Sequence, residues 1–182
     1  MLKKSVALAC ARCFRTSAVI ASGDSIELPN ASQQVEHEGE LGVVIGKVAR
    51  NISSSDDPLS YVFGYTCVND VTARDLQRKD VQFTRGKSFE TFCPVGPWIE
   101  TELDPRSAGV ETRLNGEVKQ KGNTADMAFP VAFLISYISE IMTLYPGDLI
   151  ATGTPAGVSR MKSGDTVEVE VSGIGKLVNR VS

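Results

Sequence analysis

The spacing of apolar and polar positions divides the chain into several strands and one long helix. Residues 40–49 begin with an acid and continue with an apolar run, which predicts a buried strand. Residues 61–70 are apolar, aromatic and β-branched and predict a second strand that ends at Asp70. Strict alternation and a second apolar stretch within residues 165–181 predict a closing hairpin. These segments favour a chain built mainly from strands.

Turn and helix signals complete this pattern. Asn115 and Gly116 separate two alternating runs and predict a second hairpin. Residues 17–29 read as strand, turn and strand around a Gly-Asp pair. Apolar residues recur at helical spacing over residues 129–148, and Pro130 suits the first turn of that helix.

A short helix is predicted soon after Asp70. Thr72 is a candidate N-cap, and Asp75 three residues later makes a variant of the capping box. Residues 82–100 are rich in Gly, Pro and aromatic residues and predict a structured loop that leads into a strand. The predicted fold class is therefore mixed α/β and β-rich with few short helices, in one domain of 182 residues.

Composition excludes two classes of partner. The net charge of −3 gives no broad basic surface for nucleic acid. No segment approaches the ~20 consecutive apolar residues that a membrane-spanning helix needs. Hydrophobic residues make up 42% of the chain, which is ordinary for a globular domain with a core.

The four cysteines favour reduced thiols and a cytoplasmic location. Cys10 and Cys13 form a C-x-x-C pair, but no second pair follows at zinc spacing. Cys67 and Cys93 lie among apolar residues and are expected in the core. Residues 1–19 are basic and contain no acid, so a mitochondrial transit segment, a leading helix and a tail all stay open.

The acids before the first apolar run carry the candidate chemistry. Glu36, Glu38 and Glu40 alternate, so a strand would point all three the same way. Asp70 ends a neighbouring strand, where it either caps the following helix or joins the other acids. Together the carboxylates indicate a hard cation such as Mg²⁺ rather than a solvated strand edge, and the single histidine argues against zinc.

Several motifs then resemble one family in the order in which that family carries them. The motifs are VEHEGELGVVIGK, NDVTARDLQ, RGKSFETFCPVGPWI, LNGE, LISYIS and PGDLIATGTPAGV, and they are similar to those of the fumarylacetoacetate hydrolase family over residues 17–181. The resemblance implies a β-roll of mixed sheets and a homodimer. It also implies enzymes that cleave, decarboxylate or isomerise small dicarboxylic keto acids with Mg²⁺ or Mn²⁺ held by a Glu-x-Glu pair and an Asp.

The resemblance assigns the metal ligands and one catalytic residue. Glu38 and Glu40 match the Glu-x-Glu ligands, and Asp70 matches the third ligand. Lys87 matches a lysine that lies beside the substrate and the metal, where its charge would stabilise a developing oxyanion. Glu36 falls outside the motif and is expected to be a solvated acid.

The resemblance also assigns substrate-binding residues. Arg74 and Gln77 match polar residues on the helix after the Asp, although an exposed helix face is an equal alternative for them. Gly153 and Thr154 match a loop that binds the carboxylate or keto-acid end of the substrate, although a plain turn is the alternative there. His37 is not placed as a catalytic base.

One departure from the family concerns the N-terminus. Hydrolytic members carry a His-x-x-Glu on an N-terminal lid, which residues 1–16 do not match, so residues 17–182 are expected to form the catalytic domain. The chain would then be a natural short form, a sequence without its native start, or a protein that binds without turnover.

The function expected from the sequence is Mg²⁺-dependent hydrolysis of a C–C bond in an acylpyruvate or a related 2-oxo-dicarboxylate, through a metal-bound enolate. Isomerisation, tautomerisation or decarboxylation of such acids in aromatic catabolism is the first alternative. A lidless, non-catalytic protein that binds a metal and a keto acid is the alternative from another class.

Overall fold

The computed structural model describes residues 16–80 and 82–182, which form twelve strands and three short α-helices. The strands are β1 (Val19–Ile20), β2 (Ser25–Ile26), β3 (Val35–Glu36), β4 (Gly39–Ile45), β5 (Val62–Asn69), β6 (Thr72–Ala73), β7 (Cys93–Glu100), β8 (Gly109–Leu114), β9 (Glu117–Asn123), β10 (Leu149–Ala151), β11 (Thr166–Val171) and β12 (Gly175–Val181). The helices are α1 (Arg74–Lys79), α2 (Thr84–Lys87) and α3 (Val131–Ile141).

Two five-stranded sheets make up most of the fold. The first has the order β1-β7-β5-β4-β10 and the second has the order β2-β12-β11-β8-β9, while β3 and β6 form a small separate pair. Each large sheet mixes one parallel pair, β1 with β7 or β2 with β12, with antiparallel neighbours. The predicted mixed, β-rich fold class is confirmed.

The main core lies between the two sheets and under α3. The inner face of the helix buries Val131, Ile135 and Ile138, and these pack in one apolar cluster with residues of both sheets, including Leu41 and Val169. A second buried cluster surrounds Phe92 and Met161 and supports the segment that carries α1. The elements that surround the candidate site are therefore anchored in packed apolar cores.

Both predicted hairpins are present. Asn115 and Gly116 have positive φ values of 52° and 80° and join β8 to β9, as the Asn-Gly signal requires. β11 pairs with β12 over its whole length. The long helix also forms, but it spans Val131–Ile141 and so ends seven residues before the end of the predicted segment 129–148.

The strand, turn and strand predicted for residues 17–29 form as β1 and β2, and the turn between them sends the chain from one sheet to the other. One local prediction was wrong. Thr72 does not cap α1. It lies in β6, its hydroxyl donates to the Asp70 carbonyl at 2.9 Å, and the helix begins at Arg74. Pairing with the distant β3 outweighs the local capping signal.

The predicted core cysteines are confirmed, and burial raises the pKa of Cys67 to about 12. None of the described helices is long and apolar enough to cross a membrane. The predictions for Cys10, Cys13 and the basic N-terminal segment lie outside the described residues. The proposed domain boundary after residue 16 stays a prediction.

Truncation of the α3 core face is expected to destabilise the fold. Ile135 is fully buried, so Ile135→Ala should lower the free energy of unfolding by about 2–5 kcal/mol. Val48 is 56% exposed, so Val48→Ala should change it by less than about 0.5 kcal/mol. Urea unfolding of both variants checks this, and equal effects would contradict the assigned core.

Candidate metal centre

The antiparallel pairing of β4 and β5 brings distant acids together. Gly39 at the start of β4 lies opposite Asn69 at the end of β5, so the residues just beyond them meet at one edge of the sheet. There the Asp70 amide donates to the Glu38 carbonyl at 2.9 Å, and the Glu38 amide donates to Asn69 Oδ1 at 3.0 Å. The sequence separates these acids by about thirty residues, and the strand pairing closes that gap.

Three carboxylates form a compact buried cluster at this edge. Glu38, Glu40 and Asp70 each offer an oxygen, and these oxygens all lie within 4.8 Å of one another. All three side chains are buried. Three hard oxygen donors without a thiolate or an imidazole suit Mg²⁺ or Mn²⁺ better than zinc or copper. The predicted ligand set therefore comes together as one candidate metal centre.

Lys87 contacts two of these acids at once. It ends α2, is buried, and its Nζ lies 2.7 Å from Glu38 Oε2 and 2.6 Å from Asp70 Oδ2. Helix α2 can pack tightly on α1 because a Cβ at Gly86 would lie only 3.1 Å from the Gln77 amide. The structure thus places Lys87 beside the candidate metal ligands, as the family resemblance implied, and its catalytic role stays a prediction.

Arg74 holds a second group of acceptors. Its Nε donates to Glu36 Oε2 at 2.7 Å, its Nη2 donates to Glu38 Oε1, and its Nη1 donates to Gln77 Oε1 at 2.5 Å. Glu36 is buried and ion-paired, so the prediction of a solvated acid was wrong. The β3–β6 pairing buries it, which no local sequence pattern reveals. Arg74 and Gln77 reach the site together, and their role with substrate stays a prediction.

The charges in this region do not balance. Four buried carboxylates face two cations, which leaves two negative charges uncompensated when all four acids are ionised. Burial, reinforced by Asp70 and Glu38, raises the pKa of Glu40 to about 8. Burial opposes ionisation of Glu38 as well, but Lys87 and Arg74 outweigh it and lower the pKa of that carboxyl. A divalent cation would supply the missing charge, so the residues fit such an ion.

The loop after β10 completes the site. Gly153 has a φ of 102°, and its amide donates to Glu40 Oε2 at 2.7 Å. The Thr154 hydroxyl donates to the Gly39 carbonyl at 2.8 Å and accepts a hydrogen bond from Gln120 Nε2 at 2.7 Å. The loop therefore orients the candidate metal ligand Glu40, while the contact of Gly153 and Thr154 with substrate stays a prediction.

The spacing Glu-Gly-Glu has a steric reason. A Cβ on Gly39 would lie 2.0 Å from Thr112 Oγ1, so only glycine lets β4 approach the second sheet this closely. This close approach fixes the depth of Glu38 and Glu40, which flank Gly39.

Sequence reasoning missed a buried polar group behind the carboxylates. His37 is fully buried, with Nδ1 3.0 Å from Gln120 Oε1 and Nε2 2.8 Å from Ser159 Oγ, and burial lowers the pKa of its imidazole. Gln120 lies in a polar alternating strand whose register is shifted by a bulge. Alternation alone does not place that side chain inside, because the face depends on the bulge.

Glu40→Gln is expected to change stability in opposite directions with and without metal. In the metal-free parent, Glu40 keeps its proton up to about pH 8 when folded but loses it near 4.5 when unfolded. The free energy of unfolding should therefore fall as the pH rises between these values. The amide cannot ionise and still accepts from Gly153, so the variant should lack this slope and melt higher than the parent at about pH 8.

With excess Mn²⁺ the order of the two melting temperatures should reverse. Mn²⁺ stabilises the folded parent by binding to it, whereas the variant lacks one carboxylate ligand and binds Mn²⁺ poorly. Thermal unfolding across this pH range, in EDTA and then in Mn²⁺, gives both results. Parallel pH profiles for parent and variant in EDTA would contradict the assigned proton on Glu40.

Comparison with known proteins gives independent evidence on the family of this chain. The profile of the family described as Fumarylacetoacetate (FAA) hydrolase C-terminal matches residues 12–182. Oxaloacetate tautomerase YisK of Bacillus subtilis is 44% identical over 174 residues, which cover 90% of this chain and 56% of that protein. The structure of a 2-hydroxyhepta-2,4-diene-1,7-dioate isomerase from Mycobacterium marinum is similar with a TM-score of 0.87 and 46% identity, over 91% of this chain and 65% of that one.

A fumarylpyruvate hydrolase from Pseudomonas aeruginosa, in complex with Mn²⁺ and pyruvate, is similar with a TM-score of 0.87 and 30% identity. The match covers 93% of this chain and 77% of that one. The chain thus spans between 56% and 77% of the length of these three relatives, all of which are named as enzymes. The matched profile, the fold and the motif order agree, and the chain belongs to the fumarylacetoacetate hydrolase family of enzymes.

Proposed function

We propose that this protein is a Mg²⁺- or Mn²⁺-dependent enzyme that moves a proton within a small 2-oxo-dicarboxylate, as a tautomerase or isomerase. The observation that carries this proposal is the buried cluster of Glu38, Glu40 and Asp70 with Lys87 in contact with two of the three acids. Oxygen donors and the uncompensated negative charge support a hard divalent ion there.

The residues of the chain would bind and polarise such a substrate. A divalent ion, when bound, would draw electron density from the oxygens of a 2-oxo acid and so lower the energy of its enolate. The Lys87 ammonium would hold a proton close to the developing oxyanion. Arg74 fixes the position of Glu38, and the Gly153 amide fixes that of Glu40. Keto–enol exchange needs no other reactant, because one proton leaves the carbon next to the carbonyl and one proton is added to the carbonyl oxygen.

One observation favours proton transfer over hydrolysis. Sequence identity does not separate the two reactions, because the relatives named as a tautomerase and an isomerase are 44% and 46% identical to this chain and a structure named as a fumarylacetoacetate hydrolase is also 46% identical. Both ring nitrogens of His37, the one histidine in the sequence, are engaged by Gln120 and Ser159, so this imidazole is not free to activate water.

Hydrolysis of a C–C bond in an acylpyruvate is the second candidate. The similar structure of a fumarylpyruvate hydrolase favours it, and both reactions share an enolate. The non-catalytic alternative, a protein that binds metal and keto acid without turnover, makes the same binding predictions but predicts no product.

Lys87→Met is expected to slow turnover strongly and to leave metal binding in place. Loss of the buried positive charge should lower kcat for ketonisation of enol-oxaloacetate by about 100-fold or more. Lys162→Met removes an exposed lysine and should leave the rate unchanged. The decay of the enol absorbance, in Mn²⁺ and then in EDTA, measures this rate, and product analysis with an acylpyruvate tests hydrolysis.

Equal rates for the parent and Lys87→Met would remove Lys87 from the mechanism. A parent that binds Mn²⁺ and oxalate but converts neither substrate would favour the binding protein instead.

We also infer a homodimer that pairs through the outer face of α3. Phe129, Phe133 and Tyr137 stack at helical spacing, with ring centroids 4.8 Å and 6.0 Å apart, and Phe133 is 44% exposed. Ile141 continues this apolar stripe and is 61% exposed. Glu140 is the one charged residue of α3, so a second copy can approach the stripe without strong like-charge repulsion.

A charge in this stripe should separate the subunits. We expect the parent to have about twice the chain mass of 19.6 kDa by light scattering, and Phe133→Asp to have the mass of one chain. Val48→Asp, at an exposed apolar residue outside α3, serves as the control and should stay dimeric. A monomeric parent, or a dimeric Phe133→Asp, would contradict the inferred interface.

A further inference from the structure

We infer that Gln120 is a positioning residue that locks the strand carrying the metal ligands to the loop carrying Gly153 and Thr154. Gln120 lies on β9 in the second sheet and is 1% exposed. Its hydrogen bonds go to His37, Gly39, Thr154 and Pro155 and not to the three clustered carboxylates, so its influence on the site would act through other groups.

The oxygen of Gln120 holds the ligand strand. Its Oε1 accepts from the Gly39 amide at 3.1 Å and faces His37 Nδ1 at 3.0 Å. His37 and Gly39 flank Glu38, and Gly39 also precedes Glu40. One side-chain oxygen therefore holds the residues on both sides of the candidate ligand Glu38, His37 through its ring and Gly39 through its backbone amide.

The nitrogen of Gln120 holds the loop. Its Nε2 donates to the Pro155 carbonyl and to Thr154 Oγ1, both at 2.7 Å. Thr154 in turn donates to the Gly39 carbonyl at 2.8 Å, which closes a ring of hydrogen bonds between strand and loop. The amide has two acceptor sites and two donor hydrogens, and all four are used.

This saturation fixes the proton on His37. Oε1 must face the Gly39 amide and Nε2 must face the Pro155 carbonyl, so the Gln120 amide cannot be flipped. An acceptor therefore faces His37 Nδ1, and that nitrogen carries a hydrogen in either charge state of the ring. When the ring is neutral, Nε2 accepts from the Ser159 hydroxyl.

The hydrogen bonds by which Gln120 joins the strand to the loop, here called the clamp, matter for the site because Glu40 depends on both the strand and the loop. Glu40 follows Gly39 on the strand, and its Oε2 accepts from Gly153 on the loop. If strand and loop separate, Glu40 loses its orientation relative to Glu38 and Asp70. The consequence for metal and keto-acid binding rests on the proposed function, whereas the hydrogen-bond ring and the His37 tautomer do not.

The first test is the tautomer of the one histidine. ¹⁵N-labelled histidine gives a single imidazole, and protonated and unprotonated ring nitrogens resonate at distinct shifts. We expect the Nδ1–H form in the parent at about pH 8. Gln120→Glu keeps an acceptor and should retain that form, whereas Gln120→Leu should lose it. An Nε2–H parent, or an unchanged spectrum in Gln120→Leu, would overturn the clamp.

The second test separates positioning from general destabilisation. Asn179 is a buried amide on β12, three strands away in the same sheet, and its Nδ2 donates to the carbonyls of Ala21 and Asp24. Asn179→Leu is therefore the matched control for Gln120→Leu. With Mn²⁺ as the probe, we expect the Kd to rise at least about tenfold in Gln120→Leu and to stay within about twofold of the parent in Asn179→Leu.

Melting temperatures of both variants show whether they fold and lose similar stability. Equal Mn²⁺ affinities in the two variants would overturn the positioning role. If the parent binds no Mn²⁺ at all, the proposed function fails, and the ¹⁵N spectra still decide whether the clamp exists.

Discussion

Buried negative charge that the protein only half compensates is the constraint on which this site depends. Carboxylates are costly to remove from water, and they are normally buried only with cations or strong hydrogen-bond donors. Here Arg74 and Lys87 form ion pairs with the other three acids, Glu36, Glu38 and Asp70. Glu40 instead has the Gly153 amide as its partner and a pKa raised to about 8. The fold therefore buries negative charge that the two cations do not neutralise and that a small divalent cation would neutralise.

The fold tolerates this uncompensated negative charge because packed elements hold the acids in place. Two sheets meet at Gly39, where no side chain larger than hydrogen fits against Thr112. Helices α1 and α2 bring the cations, and apolar clusters anchor the supporting segments. Because interiors of this density yield little, the acids cannot move apart to relieve their repulsion.

Much of this site could be predicted from the sequence, because its parts follow local rules. Alternation put Glu38 and Glu40 on one face, and the apolar run before Asp70 marked a strand that ends in an acid. The Asn-Gly hairpin and the long helix are likewise local. The family resemblance then identified Lys87, whose contacts with Glu38 and Asp70 the structure shows.

The remaining features depend on which strands pair, and no single segment encodes that. Glu36 is buried because β3 pairs with β6, and the same pairing draws Thr72 away from the helix cap that its neighbours favour. Gln120 reaches the site only because a bulge shifts the register of β9. In each case a tertiary contact outweighs a correct local signal.

The two cations of the site are not equivalent, and their chemistry divides the work between them. The guanidinium of Arg74 is planar and spans Glu36, Glu38 and Gln77, so its position is fixed by three partners at once. The ammonium of Lys87 is compact, and its two partners are both predicted metal ligands. Any ion that enters the cluster changes the charge that Lys87 faces far more than the hydrogen bonds that hold Arg74. Arg74 is therefore suited to hold the frame of the site, and Lys87 is suited to respond to what the site binds.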